Sequence, residues 1–377
     1  MNEKKYINKL FENYQLSDKS KLLFNKIVEI GRDKKEKVLQ EFTKLKYKEG
    51  MSIALLALYR QQVNSGFVLS DPLKENGRKS YYDKKTGVEF IISFNPDREL
   101  RKNHKLLIKR GIIAKNIDTD KLINKKNGKP CYLCWKNINI QNPSEVLVKT
   151  KLWNEYYYMG ANFAYITNNH FTIMNSKHIM QFYRKKILKI AISFIDKTNG
   201  IFRIIYNGRA GASIKEHEHL QATTEPFPIE KIIKGEKLFK TKNTDVYNPF
   251  YYIPLWIVES DNIKGLTAVS DKIISEWENI DKNNTINLIF NKKGRKYSVY
   301  IFLRDQRKLL SKGKTGAMAS FEVGGRIVLS SQEEMILFKK GSLLIIKNFL
   351  NEVSPKKDNI DILRHRISID LIGGNHE

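Results

Sequence analysis

A chain of 377 residues is long for one hydrophobic core, so two packed units are expected. Apolar residues make up 41% and aromatic residues 11%, which excludes a disordered chain. The net charge of +27 would suit nucleic acid, or a small polyphosphate drawn into a positive cleft, but the basic residues are scattered along the whole length. A lysine-rich solvated surface accounts for most of that excess, and nucleic acid is the less favoured partner. The longest apolar run, Met51 to Tyr59, is too short to span a bilayer, and no apolar signal core follows Met1 to Tyr6. A cytoplasmic protein with no membrane partner is expected.

Residues 1–48 are highly charged, with Leu22, Leu23, Phe24, Ile27, Val28 and Ile30, then Val38, Leu39, Phe42 and Leu45, at helical spacing. They read as a helical arm. Met51 to Gln62 reads as a further helix, and Pro72 and Asn76-Gly77 mark loops. Lys84 to Gly87 reads as a turn, and Val88 to Phe94 as a strand. A loop, Lys125 to Pro130, then delivers Cys131-Tyr132-Leu133-Cys134. Phe163 to Ile166 and Phe171 to Met174 are expected strands, and Ile179 to Phe194 a helix. Phe202 to Asn207 is a strand entering a turn with Gly208, Gly211, Ala212 and Ser213. Pro226 and Pro228 close this unit, and residues 231–249 read as a charged connection. Beyond it come strands at Ile286 to Phe290, Tyr297 to Arg304 and Arg326 to Ser330, then a helix from Gln332 to Leu350.

His217-Glu218-His219-Leu220-Gln221 is the stretch richest in chemistry. On a strand, alternate side chains share a face, so His217, His219 and Gln221 point to one site. The small residues just before it let backbone approach a ligand such as phosphate. An imidazole beside such a loop suits nucleophilic attack on phosphorus. Half-exposed strand histidines are the alternative, and H-x-H alone does not separate the two. The neighbours change the balance: of seven histidines, His170, His178, His217 and His219 fall in one stretch.

Cys131 and Cys134 are the only cysteines, and C-x-x-C lets two thiolates reach one zinc from a tight turn. Any zinc needs two further ligands. His178 and His217 would complete a Cys2His2 set, with His170 the rival to His178, and a reduced pair without metal the alternative. His104, His365 and His376 read as surface residues.

Asn207 to Ser213 followed by His217 to Gln221 resembles the histidine-triad superfamily, and more narrowly its galactose-1-phosphate uridylyltransferase branch with H-x-H-x-Q. The paired cysteines, a histidine after a strand and the first histidine of H-x-H resemble that branch's structural zinc pattern. Phe94 to Arg98 is similar to the N-P-x-R element of nucleotide phosphorylases and their bacterial relatives. Phe302 to Arg307, and Gly316-Ala317-Met318 through Gly324-Gly325, are similar to the second half of dinucleoside polyphosphate and GDP-hexose phosphorylases. The resemblance spans roughly residues 50–350. Glu218 departs from the branch's proline, and the alternation sends it to the face opposite His217 and His219.

The resemblance implies an α+β fold: two histidine-triad-like halves, each an antiparallel sheet with packed helices, plus the N-terminal arm. The expected units are the arm at 1–48, a catalytic half with the zinc site at 49–235, and a second half at 236–377. It implies a nucleotidyltransferase or phosphorylase working through a covalent nucleotidyl-histidine, with structural Zn2+ on Cys131, Cys134, His178 and His217. His219 would be the nucleophile. Gln221 and Ser213, with backbone N–H groups around Gly211, would hold the non-bridging phosphate oxygens, and Asn207 would orient the loop. Arg98 would clamp substrate phosphate and Asn95 would bind substrate; Arg304 and Arg307 are candidates for acceptor binding or, equally, structural charges. The donor would be a nucleoside diphosphate sugar or a dinucleoside polyphosphate, and the acceptor phosphate or a sugar phosphate. Glutamine at 221 cannot titrate, which favours transfer over hydrolysis. A hydrolase, or a zinc-stabilised nucleotide- or nucleic-acid-binding protein without catalysis, is the alternative.

Overall fold

The computed structural model describes residues 3–69, 77–241, 243–310 and 318–372. Three helices lead the chain: α1 Glu3–Asn13, α2 Asp18–Val28 and α3 Lys35–Asn64. The charged arm is helical, as expected, and it packs onto the main core. Phe11, Phe24, Ile27, Val38, Phe42 and Leu45 are buried in one cluster with Phe171 and Leu220. Helix α3 crosses residue 48 and kinks at Gly50, whose φ of 84° suits glycine.

Next come β1 Arg78–Asp83, β2 Val88–Phe94, α4 His104–Lys109, β3 Lys125–Lys126 and β4 Lys129–Pro130. The turn between β3 and β4 is Asn127-Gly128, both at positive φ, the chemistry a two-residue hairpin needs. It ends where Cys131 begins. Then follow α5 Trp135–Gln141, β5 Val148–Leu152, β6 Glu155–Ala161, β7 Phe171–Asn175, α6 Lys186–Lys197, β8 Arg203–Asn207 and β9 His219–Thr223. The remainder is β10 Phe239–Thr241, β11 Thr244–Tyr247, β12 Leu255–Ser260, α7 Ile263–Ile280, β13 Asn284–Lys293 and β14 Lys296–Asp305. It ends in α8 Ser320–Val323, β15 Arg326–Leu329, α9 Gln332–Lys339, α10 Leu343–Glu352 and α11 Lys357–Ile372.

Ten strands form one antiparallel sheet in the order β10-β11-β12-β14-β13-β8-β9-β7-β6-β5. Each half contributes five neighbouring strands, and the halves meet where β8 pairs with β13, Asn207 opposite Asn287. Strand alternation sorts the two faces. Ile204, Tyr206, Leu220, Trp256, Leu288 and Ile301 pack on one side with residues of α3, α6 and α7. Ile205, Leu255, Ile289 and Phe302 pack on the other, against β2, α8 and α10. There β15 runs parallel to β2 in a small sheet ordered β1-β2-β15. Helix α6 fits this plan: Ile187, Leu188, Ile190, Ala191, Phe194 and Ile195 are buried along it. Each buried Ile, Leu or Phe among them contributes about 1.5–3 kcal/mol on burial.

Several expectations shift. Phe163 to Ile166 is a turn, and the partner of β7 is β6. The expected helix from Ile179 starts only at Lys186, because residues 179–181 bond to the H-x-H segment instead: the Glu218 N–H donates to the Ile179 carbonyl. The helix expected over Gln332 to Leu350 is two helices, broken at Gly341-Ser342. The charged connection at 231–249 contains the β10–β11 hairpin, which extends the sheet. Pro72, Asn76, Gly316, Ala317 and His376 lie outside the described residues. No helix among the described residues is long and apolar enough to cross a membrane.

Candidate active site and metal centre

Strand β9 lies between β7 and β8, and it begins at His219 rather than at His217. His219 and Gln221 face a cavity of about 700 Å³ whose walls include Arg98, Thr172, Asn207, Ser213 and Phe321. Such a volume suits a nucleotide-sized ligand. His219 is buried, and its Nδ1 lies 2.9 Å from the His217 carbonyl oxygen. A carbonyl only accepts, so Nδ1 carries the proton and the Nε2 lone pair stays free. Burial also pushes the imidazole pKa down to about 4, so the neutral ring prevails. Gln181 fixes the strand end: its Oε1 accepts the His219 N–H at 2.7 Å, and its Nε2 donates to the carbonyls of Asn207 and His219.

The Gly-rich turn is tightly closed. The N–H groups of Gly211 and Ala212 both donate to the Gly208 carbonyl, so these two amides stabilise the turn instead of reaching for phosphate as expected. Exposed Ser213 and the backbone of Gly211 remain at the cavity wall. A Cβ on Gly211 would sit 2.6 Å from Asn287 Nδ2 and 3.1 Å from Ala319 Cα, which explains why glycine stands there. Asn207 is held by the second half. Its Oδ1 accepts from Asn287 Nδ2 at 2.8 Å, from the Ser320 N–H at 2.8 Å and from the Ser320 hydroxyl at 2.7 Å.

The arginines divide. Arg98 lines the cavity, and burial lowers its pKa to about 10. Asn95 is buried but is not among the lining residues; its N–H donates to the Leu329 carbonyl. Arg304 lies one layer beneath the wall, fully buried, donating to Asn287 Oδ1 at 2.6 Å and to the Met318 carbonyl. Arg307 is half-exposed and paired with Asp281 and Asp305, both at 2.7 Å, and it does not reach the cavity. Glu322, also on the wall, is pushed up to about 7 by burial.

Cys131, Cys134, His178 and His217 place one ligand atom each within 4.8 Å of one another. His217 Nδ1 is 3.4 Å from Cys131 Sγ and 3.6 Å from Cys134 Sγ, and His178 Nδ1 is 3.4 Å from Cys134 Sγ. Tetrahedral zinc with bonds of about 2.3 Å to sulfur and about 2.0 Å to nitrogen needs S···N separations near these values. The other nitrogen of His217, Nε2, donates to the Asn175 carbonyl at 2.8 Å, so Nδ1 is the free ligating atom. The thiols are not joined; a hydrogen bond between them lowers Cys134 to about 7 and raises Cys131 to about 11. His170, the rival ligand, lies apart from this group and bonds to Gln221.

Glu218 points to the opposite face, as expected, and is fully buried in a dense network. It accepts from Tyr157 OH at 2.7 Å, Asn175 Nδ2 at 2.8 Å, and Arg184 Nε and Nη2 at 2.7 Å each. Arg184 also bonds Glu155, and that contact holds the Glu155 carboxyl at about 2. A depressed carboxyl adds stability above its unfolded pKa and loses it as pH falls through the folded one. Thermal melts should therefore drop between pH 4.5 and about 2, and Glu155→Gln should flatten that drop. An unchanged acid profile in the variant would remove Glu155 from the account.

Sequence reading missed Gln181, Arg184 and the α8 contacts. No local pattern marks them, because each acts on residues at least 26 positions away.

Residues 84–224 match a family model described as a domain of unknown function, DUF4922. No curated protein matches the chain. Among solved structures, yeast Ap4A phosphorylase Apa2 in complex with AMP aligns at a TM-score of 0.52 and 14% identity, covering 80% of this chain and 96% of that one. The same yeast enzyme in complex with Ap4A aligns at 0.47 and 13%, covering 74% and 89%. A DUF4931 family protein from Bacillus cereus aligns at 0.30 and 12%, covering 59% and 95%. The chain thus has the α+β fold of the yeast Ap4A phosphorylase, with antiparallel sheet, packed helices and an N-terminal helical region.

Proposed function

We propose that this protein is a nucleotidyltransferase of phosphorylase or uridylyltransferase type, acting through His219. The observation that carries the proposal is the locked His219 ring. Its Nδ1 is bonded to the His217 carbonyl, its Nε2 has no hydrogen-bond partner among the described residues, and His219 and Gln221 line one nucleotide-sized cavity. In the first step Nε2 attacks the α-phosphorus of the donor. A P–N bond forms, the P–O bond to the leaving group breaks, and that group departs with the electron pair. In the second step an oxygen of phosphate or a sugar phosphate attacks the same phosphorus, and the imidazole leaves with its lone pair restored. Gln221, Ser213 and Arg98 hold the phosphoryl oxygens during both steps. The zinc-type site on Cys131, Cys134, His178 and His217 has a structural role: it fixes His217, whose carbonyl fixes His219.

The fold shared with the yeast Ap4A phosphorylase makes dinucleoside polyphosphates the first donors to try, with nucleoside diphosphate sugars second. Intact-protein mass spectrometry after incubation with Ap4A, and separately with UDP-, GDP- and ADP-sugars, should reveal one nucleotidyl adduct whose mass identifies the base. Adding phosphate should discharge it. Rapid release of nucleotide without any acceptor would instead indicate a hydrolase. Zinc-loaded protein that forms no adduct and turns over none of these donors would defeat the proposal.

A further inference from the structure

Gln221 is an amide, and its two ends are opposite in sign. Beside a phosphoryl group only the NH2 end is useful; the carbonyl end would repel the anionic oxygens. Something must choose between the two orientations, since they have nearly the same shape.

His170 is placed to do so. It is buried at the end of the turn before β7, and its Nε2 lies 3.0 Å from Gln221 Oε1. Its other nitrogen, Nδ1, lies 3.2 Å from the Ile166 backbone N, and a backbone N–H can only donate. Nδ1 is therefore the acceptor, the ring proton sits on Nε2, and Nε2–H donates to Gln221 Oε1. Flipping the amide would set NH2 against N–H, two donors face to face. The ring cannot swing away to relieve this, because Phe321 of the second half packs on it edge to face at 5.2 Å. On the neighbouring strand Thr172, the cross-strand partner of Gln221, lines the same cavity wall.

We propose that His170 is a positioning residue: it holds the Gln221 carbonyl and so turns the Gln221 NH2 toward the phosphoryl group at His219. This rests on the nucleotidyl-transfer reading of the site. The bland alternative is a buried histidine that only satisfies Ile166 and fills space.

A double-mutant cycle separates the two, using full-length zinc-loaded protein. The readouts are the single-turnover rate of adduct formation with Ap4A and the affinity for AMP, with melting temperature and zinc content recorded for each variant. Leucine at 170 fills the volume without a donor, so His170→Leu should slow adduct formation by about 10²-fold, the loss expected for one misdirected phosphoryl donor. Gln221→Ala should lose a similar amount. The double variant should be no slower than Gln221→Ala, because an absent amide has nothing left to orient. His170→Gln presents an amide N–H near the Nε2 position and should recover most of the rate. Losses that multiply in the double variant, a His170→Leu enzyme as fast as wild type, or a His170→Gln enzyme as slow as His170→Leu would each overturn the assignment. If the wild type binds AMP but never forms an adduct, the transfer reading fails on its own. The same cycle read in AMP affinity then decides His170: non-additive weakening sustains it, and additive or absent weakening overturns it.

Discussion

His219→Ala is expected to abolish the covalent adduct and to lower turnover by about 10⁴-fold or more, the range seen when a nucleophile is removed from an otherwise intact site. The fold should survive. Among the described residues the side chain makes one hydrogen bond, from Nδ1 to the His217 carbonyl, while the strand itself is held through Gln181 to the backbone N–H and carbonyl of residue 219. Losing that bond and opening a small space should cost about 1–3 kcal/mol, a shift of a few degrees in melting temperature. The contrast between these two magnitudes is the test. Turnover falling less than about tenfold would mean that His219 is not the nucleophile.

Loss of the proposed zinc site should show the reverse balance. Cys131→Ser, His217→Ala or strong chelation should empty the zinc and cost several kcal/mol, on the order of what a structural zinc supplies to folding. The reason is topological. The site ties the turn after β4 to the segment after β7 and to His217, two residues ahead of β9, partners up to 86 positions apart in the chain. Activity should then fall indirectly, because His217 carries both the Nδ1 proposed as ligand and the carbonyl that fixes the His219 tautomer. Metal analysis beside thermal melts of the wild type and both variants measures this. Wild-type protein purified without zinc, and equal in stability to the variants, would rule out a metal role for the cluster.

Local chemistry made the centre of this site legible in advance. H-x-H-x-Q carries its own geometry, because alternation on a strand decides that His219 and Gln221 share a face and that Glu218 does not. The Asn127-Gly128 turn likewise announces the hairpin that presents Cys131. What stayed hidden depends on partners far along the chain. Ile179 to Tyr183 has the apolar content of a helix start, yet Ile179 and Gln181 bond to the H-x-H segment and hold it extended. Strands β5 and β6 carry lysines and tyrosines in a pattern that reads equally well as loop until β6 pairs with β7 and β5 adds to β6. Arg304 and Arg307 are three residues apart with the same chemistry. Only the fold decides that one is buried under the cavity wall and the other is half-exposed at the surface.

The pairing of β8 with β13 has a consequence for the integrity of the chain. Halves separated after a cut in the connection following β9 would each present a bare edge, Ile204 to Asn207 on one and Asn287 to Phe290 on the other. Unpaired N–H and C=O groups along such apolar strands are templates for aggregation. The same cut would strip β15 from β2 and remove Ser320 and Asn287 from Asn207. Neither piece would retain a whole site, so the two halves are committed to one another as a single inheritable unit.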